Sequence, residues 1–161
     1  MKKILLLLVV ILIALPLSAR SKIEFCPRGT LYLDGGVNFG IGGDIVLNPK
    51  KNIGLRGHLV EVIFGDNTIF SLNSVSFTGI TTFDVLYYTD IAGLFQYVDI
   101  TFGLVSAGGG TSLAIGGGVG MEKSIGNGMD MFIEPDILIM TYSGGGSDFM
   151  FKGSFGIKIG L

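Results

Sequence analysis

From about residue 30 onward, apolar and polar positions alternate with period two in runs of roughly ten residues, and no stretch keeps the 3.6-residue spacing of an amphipathic helix. The run QYVDITFGLV is the clearest: Val98, Ile100, Phe102 and Leu104 fall on one side, with Tyr97, Asp99, Thr101 and Gly103 on the other. Eight such runs are expected to form strands: Thr30 to Ile41, Ile53 to Phe64, Thr68 to Phe77, Thr81 to Tyr88, Gln96 to Val105, Ser112 to Glu122, Asp130 to Thr141 and Phe149 to Leu161. Between them lie GDN, SAGGG, IGNG and SGGGS, turn sequences rich in the residues that tolerate positive φ. Successive hairpins imply an all-β, up-and-down antiparallel order.

Which face meets solvent follows from volume. An eight-stranded barrel has a bore just wide enough for side chains to fill. The bulky face, here Leu33, Val37, Val98, Ile100, Phe102, Ile115, Ile137, Phe155 and Ile157, is therefore expected outside. The other face is small and Gly-rich, and it carries Asp34, Arg56, His58, Asp84, Asp99, Glu134, Asp136, Lys152 and Lys158, which are expected as a charge network in the lumen. An apolar exterior calls for lipid, and tilted strands of about ten residues have the length that crosses a bilayer. The expected fold is thus an eight-stranded antiparallel up-and-down transmembrane β-barrel. Glu61 takes the outward parity of its run, near the strand end, where a lipid-facing charge costs less. TIFSLNSVSF favours neither face, so a bulge is expected in that third run.

Composition narrows the reading. Glycine supplies 27 of 161 residues, the chain is 48% hydrophobic and 15% charged, and its net charge of -2 offers no basic stripe for nucleic acid. Lys2 and Lys3, the apolar run from Ile4 to Leu15 and then PLSARS have the form of a secretory signal peptide over residues 1–21, cut after Ala19 or Ser21. Residues 22–29 are expected as a short periplasmic tail and residues 30–161 as the barrel. Cys26 is the sole cysteine, so no disulfide forms within the chain, and Glu24 and Phe25 before it do not suit a lipoprotein signal. An unpaired thiol in the tail is expected.

The quoted segments resemble the small eight-stranded outer-membrane β-barrels of Gram-negative bacteria, of the type found in the transmembrane domain of outer-membrane protein A. The resemblance rests on DVLYYTD followed by QYVDITFGLV, on LAIGGGVGMEKSIGNG, on MFIEPDILI and on FMFKGSFGIKIGL. It implies a Tyr opening the fifth strand, a Gly-rich sixth strand and a lumenal Glu on the seventh, which here are Tyr97, Gly116 to Gly120 and Glu134. Leu161 replaces the usual final aromatic, Asp99 stands where such proteins often carry Gly, and Pro135 lies inside a strand, where a local bulge is expected. No peptidoglycan-binding domain is expected after the barrel.

Candidate chemistry is sparse. His58, the only histidine, is expected as a polar lumen residue near the outer mouth; catalysis on lipid acyl chains would need a nucleophile and an orienting acid, and no motif assembles them. One His and one Cys in separate segments make no metal site, and SAGGGTS and AIGGGVG lack the Lys and following helix of a phosphate loop. No cofactor is expected. With both termini periplasmic, the outward loops would be GGDIVLNPKKN, a turn near Thr78 and Gly79, SAGGG and SGGGSD, with Lys50 and Lys51 available to lipopolysaccharide phosphates. The expected protein is a monomeric, non-enzymatic, porin-like integral barrel with a structural role in the envelope. Its expected partners are membrane lipid and the outer-membrane assembly machinery. Three alternatives stand beside it: a soluble lipocalin-like barrel with an apolar ligand in its core, a narrow ion pathway, and a lipid-modifying enzyme.

Overall fold

The computed structural model describes residues 22–33, 36–64, 69–72, 79–107, 110–126, 128–142 and 145–161. The expected signal peptide, Asp34 and most of the third run lie outside them. Nine strands follow in chain order: β1 (Lys22–Leu33), β2 (Val37–Lys50), β3 (Ile53–Phe64), β4 (Ile69–Leu72), β5 (Gly79–Ile91), β6 (Phe95–Ala107), β7 (Gly110–Gly126), β8 (Met129–Tyr142) and β9 (Ser147–Gly160). Among the described residues there is no helix.

Every strand but β4 pairs antiparallel with its successor, β3 pairs also with β5, and β1 pairs with β9 to close the ring. The short β4 binds the upper half of β3, Val60 to Ile63, while β5 binds the lower half, Ile53 to Gly57, so β4 and β5 share one position. Nine strands thus make a closed eight-position barrel.

Two segments differ from expectation. Residues 22–29, expected as a tail, form most of β1, and Gly42 to Lys50, expected as an outward loop, belong to β2. The first expected run therefore fuses the end of one strand with the start of the next. Period two survives the intervening turn, which is why Leu31, Leu33, Val37, Phe39 and Ile41 all still point outward. The turn at Lys51–Asn52 lies at the same end as Lys22 and Leu161, the terminal end of the described chain, because Lys22 pairs with Asn48 and Glu24 with Gly160. Lys50 and Lys51 are thus on the terminal side rather than beside SAGGG and SGGGSD.

The bulge also falls elsewhere. Between β2 and β3 the register jumps, Gly43 facing Val60 but Asp44 facing His58, so Leu59 is an extra residue on β3. That single insertion reverses the parity beyond it and turns Glu61 and Ile63 inward, both buried. Glu61 is therefore a bore residue that the bulge reorients, correcting its expected outward placement. At Pro135 no bulge forms: Gly118 faces Asp136 and Met121 faces Ile133 in one unbroken register, and Pro135 stays opposite Gly153. The ladder to β7 simply skips the pairs around the residue that lacks an N–H.

At the terminal end, the β5–β6 turn uses positive φ at Ala92 and Gly93, 56° and 71°, geometry that tight connections demand.

Candidate functional site

Burial is inverted relative to a water-soluble protein. Among the described residues, 29 large hydrophobic side chains are exposed and 11 hydrophobic residues are buried, whereas twelve ionisable ones, including Arg28, Arg56, Lys152 and Lys158, are buried. All nine residues expected on the lipid side face outward, Val98 and Ile157 half-buried and the others exposed. The alternative in which those side chains line a ligand cavity is excluded by this placement. A concavity walled by Pro27, Gly29, Phe39, Ile41 and Phe155 lies on the outer face.

The bore is layered, and β1 and β8 show the order. β1 runs Cys26, then Arg28 and Thr30, then Tyr32; β8 runs Phe132, then Glu134 and Asp136, then Leu138 and Met140. One apolar layer, toward the terminal end, contains Cys26, Val46, Leu86, Tyr97 and Phe132. The other contains Tyr32, Ile63, Ala114, Leu138, Met140 and Met150. A charged belt lies between them. Cys26 is accordingly a fully buried bore residue rather than a tail thiol.

The belt has two parts. Around β1 to β3, Arg28 Nε donates to Asp44 at 2.9 Å and 3.0 Å, and its Nη1 donates to Glu61 at 2.8 Å and to Thr30. Tyr32 donates its hydroxyl to Glu61 at 2.8 Å, tying one apolar layer to the belt. Across the bore, Arg56 donates to both oxygens of Glu134, at 2.6 Å and 2.7 Å, and through Nε to Asp84 at 2.5 Å. Tyr97 ties the second layer in, its hydroxyl donating to Glu134 at 2.7 Å. Lys152 Nζ stands 2.8 Å from Asp136 Oδ2 at ion-pair distance, without hydrogen-bond alignment.

His58 joins the two parts. Its Nδ1 is 2.7 Å from Asp44 and its Nε2 3.2 Å from Asp84, with Arg28 Nη2 3.0 Å from Nδ1. It sits inside the belt rather than near a mouth. Lys158 lies lower, ion-paired with Glu122 and 4.1 Å above the Tyr97 ring, with Tyr88 and Phe132 also within cation–π reach.

Glycine makes this packing possible. Gly120 faces Tyr97 across the ladder, and a Cβ there would fall inside the Tyr97 ring. Gly118 lies between Asp99 and Asp136, and a Cβ there would collide with Asp136 and the Pro135 carbonyl.

Of the nine lumen residues expected from sequence, eight are placed in the bore and buried, and Asp34 lies outside the described residues. Arg28, Asp44 and Glu61 were not expected there. The signal for the first two was present: Glu24, Cys26, Arg28, Thr30 and Tyr32 alternate with Ile23, Phe25, Leu31 and Leu33, and Asp44 shares parity with Val46.

No protein-family model and no curated protein matches the chain. Among solved structures, the crystal structure of Neisserial surface protein A is similar in fold at 10% identity, over 86% of this chain and 95% of that one, with a TM-score of 0.46.

Proposed function

We propose that this chain is an integral outer-membrane β-barrel of the outer-membrane protein A transmembrane-domain type, non-enzymatic and monomeric, with a structural role in the envelope. The inverted burial carries this reading. Soluble monomers rarely expose a contiguous apolar patch beyond a few hundred Å², while here apolar side chains cover the outer face of every strand whose side chains are described. A bilayer solvates such a face, and ring closure satisfies the backbone groups that lipid cannot. The signal-peptide pattern of residues 1–21 supplies the export route, and the assembly machinery and membrane lipid are the partners.

The two apolar layers favour a stiff plug over an ion pathway, since each caps the belt. Both nitrogens of His58 face carboxylates, which leaves it poorly placed to deprotonate a nucleophile. With the termini periplasmic, Lys50 and Lys51 are periplasmic too, so any lipopolysaccharide contact falls to the opposite turns.

The test pairs neighbouring residues. Ile100→Lys puts a charge on the outer face and costs roughly 2 to 4 kcal/mol of folding into lipid vesicles. Thr101→Lys points into the bore beside Asp99 and costs less. The wild-type chain should require detergent for solubility and show a heat-modifiable gel shift. Equal losses in the two variants, or folding in plain buffer, overturn the proposal.

A further inference from the structure

The belt is short of positive charge, and the shortfall is local. Arg28, Arg56 and Lys152 stand against Asp44, Glu61, Asp84, Asp99, Glu134 and Asp136, all buried. His58 adds at most one charge, and it lies between Asp44 and Asp84. The deficit therefore concentrates on the opposite wall, where Asp99, Glu134 and Asp136 bring carboxylate oxygens within 4.8 Å of one another. Repulsion at that separation in a poorly solvated bore is costly, so something must compensate it.

Hydrogen bonding leaves a specific opening. Glu134 is engaged by Arg56 and Tyr97, and Asp136 Oδ2 by Lys152, but among the described residues Asp99 receives only the Thr101 hydroxyl, at 3.2 Å on Oδ2. Asp99 Oδ1 and Asp136 Oδ1 have no partner among the described residues, although each residue is 1% exposed. An independent side chain adds to this: Ser154 faces Glu134 across the β8–β9 ladder, is 2% exposed, and leaves its Oγ unpartnered. Gly118 keeps clear the ground between the two aspartates. Orphaned buried oxygens converging with excess negative charge are the pattern of a cation site.

We propose that Asp99, Asp136 and Glu134 bind a hard divalent cation of the calcium or magnesium class inside the bore, with the Ser154 hydroxyl beside it. All the donors are oxygen, which disfavours zinc and copper, whose preferred ligands are nitrogen and sulfur. Three carboxylates cannot fill the coordination shell, so the ion keeps water, and the affinity belongs with weak sites of about 10⁻⁴ to 10⁻³ M. Apolar layers flank the belt on both sides, so the ion loads as the barrel folds. This inference rests on the bore alone and holds equally in detergent or lipid.

The experiment folds the full chain into detergent micelles with millimolar Mn²⁺, and in parallel with EDTA followed by Mn²⁺. Free Mn²⁺ is read by electron paramagnetic resonance at millimolar total metal with no separation step, and the heat-modifiable gel shift verifies folding. The expected result is a single Mn²⁺ per wild-type chain, reduced when Ca²⁺ or Mg²⁺ competes during folding, and its loss in Asp99→Asn and in Asp136→Asn, both close in shape to the native residue. Absence of stoichiometric Mn²⁺ from the folded wild type overturns the proposal, because the acids are then neutralised by protons. Retention of Mn²⁺ in both variants overturns it as well.

Discussion

The two parts of the belt are made of the same residue types yet behave oppositely. Around β1 to β3, Arg28 satisfies Asp44 and Glu61 together, and none of the side-chain atoms of these three is left without a partner. Around β6 to β9, Asp99 and Asp136 crowd together and leave oxygens orphaned. The difference has local backbone causes. An inserted Leu59 on β3 swings Glu61 inward to meet a guanidinium, whereas Gly118 on β7 lets two aspartates from its flanking strands converge. The first arrangement brings opposite charges together, and the second brings like charges together.

Breaking the closed part should have the largest effect. Arg28→Met strands Asp44 and Glu61 in the bore and is expected to cost about 3 to 5 kcal/mol, measured by urea unfolding in lipid vesicles. On the opposite wall Gly118→Ala drives a methyl into the Pro135 carbonyl, and a loss of roughly 1 to 3 kcal/mol is expected in the same assay. The contrast is sharpest with matched neutralisations in EDTA. Glu61→Gln loses charge-assisted bonds from Arg28 and Tyr32 and destabilises by about 1 to 2 kcal/mol, while Asp99→Asn relieves repulsion and raises the unfolding midpoint. Matching signs would erase the distinction between the two parts. Lys51→Gln, on an exposed terminal-side turn, sets the floor at within about 0.5 kcal/mol.

Much of this was legible in the alternation. Period two is a property of the strand itself, so Ile100, Phe102, Ile115 and Phe155 sort outward, and Asp84, Asp99, Glu134 and Lys152 inward, without knowledge of neighbours. Arg28 and Asp44 were obscured because Pro27 and Gly29 on β1, and Gly42 and Gly43 on β2, interrupt the apolar rhythm that marks a strand. Glu61 sorts to the wrong face on parity alone, since its facing depends on a partner-strand register that no local pattern encodes. Leu86, Phe132, Leu138, Met140 and Met150 share the polar parity yet are apolar. A narrow bore asks its lining to fit before it asks it to be polar, which hid the layers until the strands were set side by side.

The guanidinium of Arg56 grips Glu134 from the far wall, 78 residues later in the chain. Until β8 arrives, that cation has Asp84 on the neighbouring β5 but neither oxygen of Glu134, and β9 must still follow to seal the seam with β1. For the membrane barrel proposed above, threading the bilayer strand by strand is thereby penalised, so crossing and closing are bound into one concerted act in which the last-made segments complete the first.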